Sequence, residues 1–81
     1  MRLPRDIGGL DLSRRLAVYG YAVTRQTGGH VKLASNHTGR EHQLTIATAK
    51  LLHMATLNNI LVDVAAYLAI DKDVLAATIF A

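Results

Sequence analysis

The sequence predicts one α+β domain over residues 1–81, with a three-stranded antiparallel sheet packed on one face by helices. Two observations lead to this fold class. Between residues 21 and 47, apolar and polar residues alternate in three short runs, which is the period of half-buried strands. From residue 57 the apolar period changes to 3.6 residues, which is the period of an amphipathic helix. Short connections between the runs favour antiparallel neighbours.

The first element is a short amphipathic helix. Leu12 and Leu16 are four residues apart, so they share one face of that helix. Gly9 or Asp11 can cap its start, and Gly20 is expected to end it in the left-handed conformation.

Three strands are predicted next, because alternation coincides with β-branched and aromatic residues. Their sequences are YAVTRQ (21–26), HVKLAS (30–35) and HQLTIA (42–47). The Thr-Gly-Gly segment at 27–29 is expected to supply positive-φ residues for a tight hairpin turn. In the second strand Val31 and Leu33 should face the core, which leaves His30 and Lys32 on the opposite face.

Two helices complete the predicted α-β-β-β-α order with its short C-terminal extension. Apolar residues at 57, 60, 61, 64, 65 and 68 form a wide stripe on the longer helix, for which Thr56 is the expected N-cap. Asp71 is expected to cap the last short helix, in which Val74, Leu75 and Ile79 are apolar.

Composition and charge limit the classes of protein. The chain has no cysteine, and acidic residues interrupt its apolar C-terminal third, so no membrane span is expected. The charged start MRLPRDIGG does not resemble a signal peptide, and a cytoplasmic protein is expected. Residues 1–50 hold eight Lys and Arg against three Asp and Glu, whereas residues 51–81 hold one Lys against three Asp. The basic N-terminal part would attract a polyanion.

His30 is the leading candidate for chemistry. A histidine titrates near neutral pH and can give or take a proton in a transition state. Gly28 and Gly29 leave room for a substrate backbone, and their amides could meet phosphate oxygens. Arg25 and Lys32 add positive charge around the proton carrier. This group suits cleavage of a phosphodiester beside a ribose 2′-hydroxyl, although spacing alone favours an exposed strand histidine without a role.

The other histidines do not indicate a metal site. His37 and His42 flank a loop, and His53 stands alone before the long helix. None of them pairs at helical i, i+4 spacing, and no carboxylate recurs at a ligand-like distance along the chain. No metal and no other cofactor is therefore expected.

Two long segments resemble the HicA toxins of bacterial and archaeal HicA/HicB toxin–antitoxin pairs. They are LPRDIGGLDLSRRLAVYGYAVTRQTGGHVKL and LTIATAKLLHMATLNNILVDVAAYLAIDKDVL, which together cover nearly the whole chain. The most specific parts are Leu3-Pro4-Arg5, Gly20-Tyr21, the hairpin at 26–33 and the stretch at 56–61.

The resemblance implies a fold like that of double-stranded-RNA-binding domains. It also implies a metal-independent endoribonuclease that cleaves mRNA and is inhibited by a HicB-like antitoxin protein. The family's catalytic histidine corresponds to His30. Gly28 matches the family pattern, and Gly29 stands where the family usually has serine.

The chain departs from the family after the third strand. Family members commonly have Pro-x-His there and begin the long helix with Gly-Thr-Leu. Here Ala47 and Ala49 replace the proline and the histidine, and Ala55 replaces the glycine. Lys50 remains and could meet phosphate. These departures leave open a second interpretation, in which the protein is a non-catalytic module that binds RNA or pairs with an antitoxin. A third interpretation is a small structural domain that oligomerises through its apolar stripe.

Overall fold

The computed structural model describes residues 3–81, so Met1 and Arg2 of the charged N-terminal start lie outside the described residues. The elements occur in the predicted order. They are α1 (Gly9–Leu16), a 3₁₀ turn (Ala17–Tyr19), β1 (Ala22–Gln26), β2 (His30–Ser35), β3 (His42–Ala47), α2 (Met54–Leu68) and α3 (Lys72–Ile79). Within residues 3–81, no helix combines the length and the apolar character that crossing a membrane requires.

The three strands form one antiparallel sheet in the order β1-β2-β3. This confirms the predicted α+β class and meander. Val31 and Leu33 of β2, with Leu44 and Ile46 of β3, are buried in the same core as the apolar residues of the helices. The residues between them on the two strands are mostly exposed, so the sheet has a covered inner face and an open outer face.

A β-bulge interrupts β1. The pairing runs from Val23 opposite Leu33 directly to Arg25 opposite Lys32, which leaves Thr24 as the extra residue. Strict alternation along β1 would place Arg25 on the same face as Val23. Because the bulge shifts the register by one, Arg25 instead shares the outer face with Lys32.

The N-cap of the first helix lies one residue before Gly9 and three residues before Asp11, the two expected caps. Gly8 is the N-cap, with extended backbone and no side-chain hydrogen bond, and Gly9 is the first helical residue. Asp11 lies in the first turn and pairs with Arg15 at 3.2 Å rather than capping the helix. A Cβ atom on Gly9 would overlap the carbonyl oxygen of Ala47, so glycine lets α1 approach the end of β3. α1 itself ends at Leu16, and Gly20, at φ 81°, ends the 3₁₀ turn that follows in the predicted left-handed conformation.

The glycines of the β1–β2 hairpin do not adopt the expected positive φ. In residues 3–81 the positive-φ glycines are Gly20 and Gly39. The turn at 27–29 is instead closed by the Thr27 N–H, which donates to the His30 carbonyl at 2.9 Å. A Cβ atom on Gly28 or Gly29 would meet no atom within 4 Å, so neither packing within the described residues nor a positive φ requires glycine there.

The long helix begins before the expected N-cap. His53, with ψ 149°, is the N-cap of α2 and makes no side-chain capping bond, so Thr56 already lies inside the helix. The apolar stripe starts only at Leu57 because residues 54–56 are exposed. The prediction for α3 is confirmed, since the carboxylate of Asp71 accepts from the Asp73 N–H at 2.7 Å.

A cluster of polar aromatic groups joins the far end of the sheet to α2. The Tyr21 hydroxyl lies 2.6 Å from Nδ1 of His42, whose Nε2 lies 3.3 Å from the Asp63 carboxylate. The His42 ring stacks on Tyr67 with centroids 4.7 Å apart. Burial raises the pKa of Tyr21 well above its ordinary value, and Tyr67 and Asp63 raise it further. The cluster therefore holds a neutral phenol in a structural network.

Candidate functional site

His30 is the first residue of β2 and lies on the open outer face of the sheet, opposite Ala47 at the end of β3. Its side chain is exposed and makes no hydrogen bond or ion pair with any residue from 3 to 81. The His30 carbonyl accepts from Thr27, so the backbone is held by the hairpin turn while the ring stays free. The imidazole is thus presented to solvent from a fixed position.

Two cations lie next to each other on the same outer face. Arg25 of β1 is directly opposite Lys32 of β2, and Thr45 of β3 is opposite Lys32 on the other side. Neither cation pairs with a carboxylate within the described part of the chain, and the three strand sequences contain no Asp or Glu. Like charges at directly opposite positions repel each other. An anion bound between them would remove this repulsion, so the outer face is suited to phosphate groups.

A pocket of about 320 Å³ opens beside His30, where the chain passes from β3 to α2. The Thr48 N–H donates to the Gly29 carbonyl at 2.8 Å, which fixes this connection against the hairpin turn. The lining residues are Gly29, His30, Ala47, Ala49, Lys50, Leu51, Leu52, His53 and Thr56.

The amino end of α2 faces this pocket through His53 and Thr56. The helix has no side-chain cap and no acidic residue in its first turn. Its first N–H groups and the positive end of its dipole therefore add to the charge of Lys50. The electrostatics of the pocket favour an anionic group.

The predicted site residues fall into two neighbouring groups. His30, Gly29 and Lys50 line the pocket, whereas Arg25 and Lys32 lie farther along the outer face. Gly28 is exposed at the tip of the turn and does not line the pocket. All six positions are accessible or half-buried, and His30 lies where the two groups meet.

Ala49 and His53 both line the pocket. In the sequence, Ala49 stands where the family has a histidine, and His53 has no assigned role. His53 stands 23 positions after His30 in the chain. No periodic pattern relates the two, because their proximity depends on the path of residues 48–53 back across the end of the sheet. The pairing of His30 with Ala47 could have suggested the proximity of the two histidines, because this pairing places the start of the β3–α2 connection beside His30.

The remaining histidines lie elsewhere. His37 is exposed in the loop between β2 and β3, with its ring edge-on to Tyr19 at 5.9 Å between centroids. His42 belongs to the structural cluster with Tyr21 and Asp63. Among residues 3–81, no three histidine or acidic side chains are arranged to hold a metal ion.

A larger groove of about 440 Å³ runs between α1 and the free edge of β1. Its lining includes Arg14 and Tyr21 but no histidine and no carboxylate. The phenol of Tyr21 stays protonated because its pKa is raised by burial, so this groove offers no group for proton transfer near neutral pH. The pocket beside His30, in contrast, is lined by two histidines and a lysine.

No protein-family model, no curated protein and no solved structure matches this chain.

Proposed function

We propose that the protein is a metal-independent endoribonuclease that cleaves mRNA and acts as the toxin of a HicA-like toxin–antitoxin pair in the cytoplasm. The observation that carries this proposal is the position of His30. An exposed imidazole without a partner in residues 3–81 stands between a cationic sheet face, whose three strands contain no Asp or Glu, and a pocket lined by Lys50. The three-stranded sheet with helices on its inner face also fits a fold like that of double-stranded-RNA-binding domains.

The proposed reaction needs few groups from the protein because RNA supplies the nucleophile. His30 acts as general acid or base while the ribose 2′-hydroxyl attacks the adjacent phosphorus. Arg25, Lys32 and Lys50 hold phosphate groups on either side of the histidine. These contacts position the RNA backbone and carry no base specificity by themselves.

The proposed partner is a HicB-like antitoxin protein that covers His30 and the cationic outer face. Acidic groups of such a partner would neutralise Arg25 and Lys32, which have no carboxylate partner within the described residues. In the complex, the backbone amides of the hairpin at 26–33 are expected to exchange hydrogen more slowly. A hairpin left unprotected in an inhibited complex would contradict direct coverage of the site.

Growth on induced expression tests the proposed toxicity. The wild type is expected to arrest growth, and His30→Ala is expected to abolish the arrest because the proton carrier is removed. His37→Ala is the matched control, since His37 is an exposed histidine in the distant β2–β3 loop. Equal expression of folded protein is checked for all three. A His30→Ala variant that arrests growth as fully as the wild type would contradict the proposal.

A second candidate function is a non-catalytic module that binds RNA or pairs with an antitoxin. It is favoured by Ala47 and Ala49, which present only methyl groups to the pocket where HicA proteins commonly have proline and histidine. The cationic face would still attract RNA. This alternative predicts that purified protein retards RNA on a native gel and leaves it intact even at enzyme excess.

A further inference from the structure

We propose that His53 is the second proton-transfer residue of the ribonuclease site and acts with His30 across the pocket. This inference rests on the proposed ribonuclease function. It assigns a catalytic role to a histidine that stands alone in the sequence and is brought to the site by the fold.

The chemistry requires two proton transfers. A base takes the proton of the ribose 2′-hydroxyl, the 2′-oxygen forms a bond to phosphorus, and the bond from phosphorus to the 5′-oxygen breaks. An acid gives a proton to that leaving 5′-oxygen. The products are a 2′,3′-cyclic phosphate and a 5′-hydroxyl, so atoms and charge balance without water, metal or another reactant. The two transfers occur on opposite sides of the phosphorus, which favours two separate groups.

The structure offers two groups that fit this need. His30 enters the pocket from the start of β2, and His53 enters it from the residue that precedes α2. Both residues are exposed, and neither side chain has a hydrogen-bond or ion-pair partner among residues 3–81. Both imidazoles are therefore available to contact a bound phosphodiester.

No other residue that lines the pocket can take over the second transfer. The lining contains no Asp, Glu, Tyr or Cys, and Lys50 is the one remaining ionisable group. A lysine ordinarily stays charged near neutral pH, where it serves as a phosphate contact rather than as a base. Two histidines, in contrast, can be present as one base and one acid at the same pH.

The backbone on both sides fixes the two histidines relative to each other. The Thr48 N–H donates to the Gly29 carbonyl at 2.8 Å, next to His30. The Leu57 N–H donates to the His53 carbonyl at 2.9 Å, which ties His53 to the first turn of α2. Leu52, directly before His53, is buried in the core. Both walls of the pocket are thus held by the folded domain.

The test measures single-turnover cleavage of an RNA oligonucleotide as a function of pH, with enzyme in excess. His53→Gln and His53→Ala are compared with the wild type and with His37→Gln as the matched control. The wild type should show a bell-shaped profile with one limb for each histidine. Both His53 variants should be slower by about 100- to 10,000-fold and should lack one limb of the profile, while circular dichroism stays unchanged.

A substrate with sulfur in place of the leaving 5′-oxygen identifies the acid, because a thiolate leaves without protonation. With this substrate, either the His30 variant or the His53 variant, but not both, should recover most of the wild-type rate. The inference is overturned if His53→Gln cleaves at the wild-type rate, if it slows cleavage without changing the shape of the pH profile, or if neither variant is recovered. Loss of activity in His30→Ala alone would leave the ribonuclease proposal intact and remove His53 from it. A wild-type protein that leaves RNA intact would overturn both.

Discussion

His30 and Lys32 lie on the outer face of the sheet because their neighbours Val31 and Leu33 are fully buried on the inner face. The period of two in a strand makes this outcome predictable from sequence alone. The chemical surroundings of His30 are harder to predict from sequence, because they depend on residues that approach it from other elements. Lys50 and His53 reach the pocket through the β3–α2 connection, for which the sequence shows no regular period.

Tyr21 and His42 make a second contact that the sequence does not predict. Each resembles an ordinary strand-end residue, yet the Tyr21 hydroxyl and His42 Nδ1 are 2.6 Å apart and Asp63 closes the network from α2. Such contacts join residues about 20 positions apart or more, and only the packed fold specifies them.

Tyr21→Phe tests this network through its pH dependence. Removing the hydroxyl should lower the free energy of unfolding by about 1 kcal/mol near neutral pH. Because the pKa of Tyr21 is higher in the folded state than in the unfolded chain, this contribution is complete below about pH 10 and declines as pH rises above it. Urea unfolding from neutral pH to about pH 11 should therefore show a narrowing gap between the wild type and the variant.

Tyr19→Phe is the matched control for that measurement. Tyr19 is half-buried, and its hydroxyl makes no hydrogen bond with the described residues. The difference in the free energy of unfolding between Tyr19→Phe and the wild type should be small at every pH. A gap for Tyr21→Phe that stays constant across the alkaline range would contradict the raised pKa.

At the scale of elements, β2 and β3 have the predicted bounds, whereas β1 and α2 differ in informative ways. After Val23 the polar residues Thr24, Arg25 and Gln26 follow one another without alternation, and the bulge becomes visible only in the pairing with β2. The first turn of α2 is exposed, so it lacks the apolar signal that indicates the start of a helix. The bulge bears on the proposed function because it places Arg25 beside Lys32.

The end of α2 has an unusual residue in the left-handed conformation. Ala69 has φ 57° and ψ 42°, and the next N–H, from Ile70, donates to the Ala65 carbonyl at 3.1 Å. Glycine is the usual residue there because a Cβ atom is disfavoured by roughly 1–2 kcal/mol. Ala69→Gly should raise the free energy of unfolding by about 0.5–1 kcal/mol after the added freedom of the unfolded chain is included.

Ala77→Gly is the same type of substitution, but its expected effect on the free energy of unfolding is opposite. Ala77 is exposed in the interior of α3, where glycine should lower the free energy of unfolding by about 0.5–1 kcal/mol. Urea denaturation of the two variants under one set of conditions compares them directly. If Ala69→Gly is destabilised like Ala77→Gly, the conformation assigned to the end of α2 is wrong.

In the whole molecule, the uneven charge of the sequence corresponds to a cationic outer face of the sheet. The acidic residues of the C-terminal part lie on or beside α2 and α3, and the strands carry none. Arg25 and Lys32 therefore face solvent with no carboxylate of the sheet to neutralise them. Charge imbalance predicts a polyanion partner, and the outer face of the sheet is the location that we propose for it.

The salt dependence of RNA binding tests that location. Replacing Arg25 and Lys32 by glutamine should weaken RNA binding uniformly across sequences. It should also reduce the slope of log affinity against log salt by about 1 for each phosphate that the protein no longer neutralises. Arg40→Gln removes one charge from the loop at the opposite end of β2 and should leave the slope nearly unchanged. Equal slopes for the double variant and the wild type would place the RNA elsewhere.

Metal-independent ribonuclease activity is tested most directly by cleavage of RNA by purified protein in the presence of excess EDTA. The wild type and His37→Gln are expected to cleave a single-stranded RNA and leave 2′,3′-cyclic phosphate ends, since the proposed reaction uses no metal. His30→Ala, folded to the same extent by circular dichroism, is expected to bind the RNA and leave it intact. RNA that survives enzyme excess of the wild type, or that is cut at the wild-type rate by His30→Ala, would contradict the account.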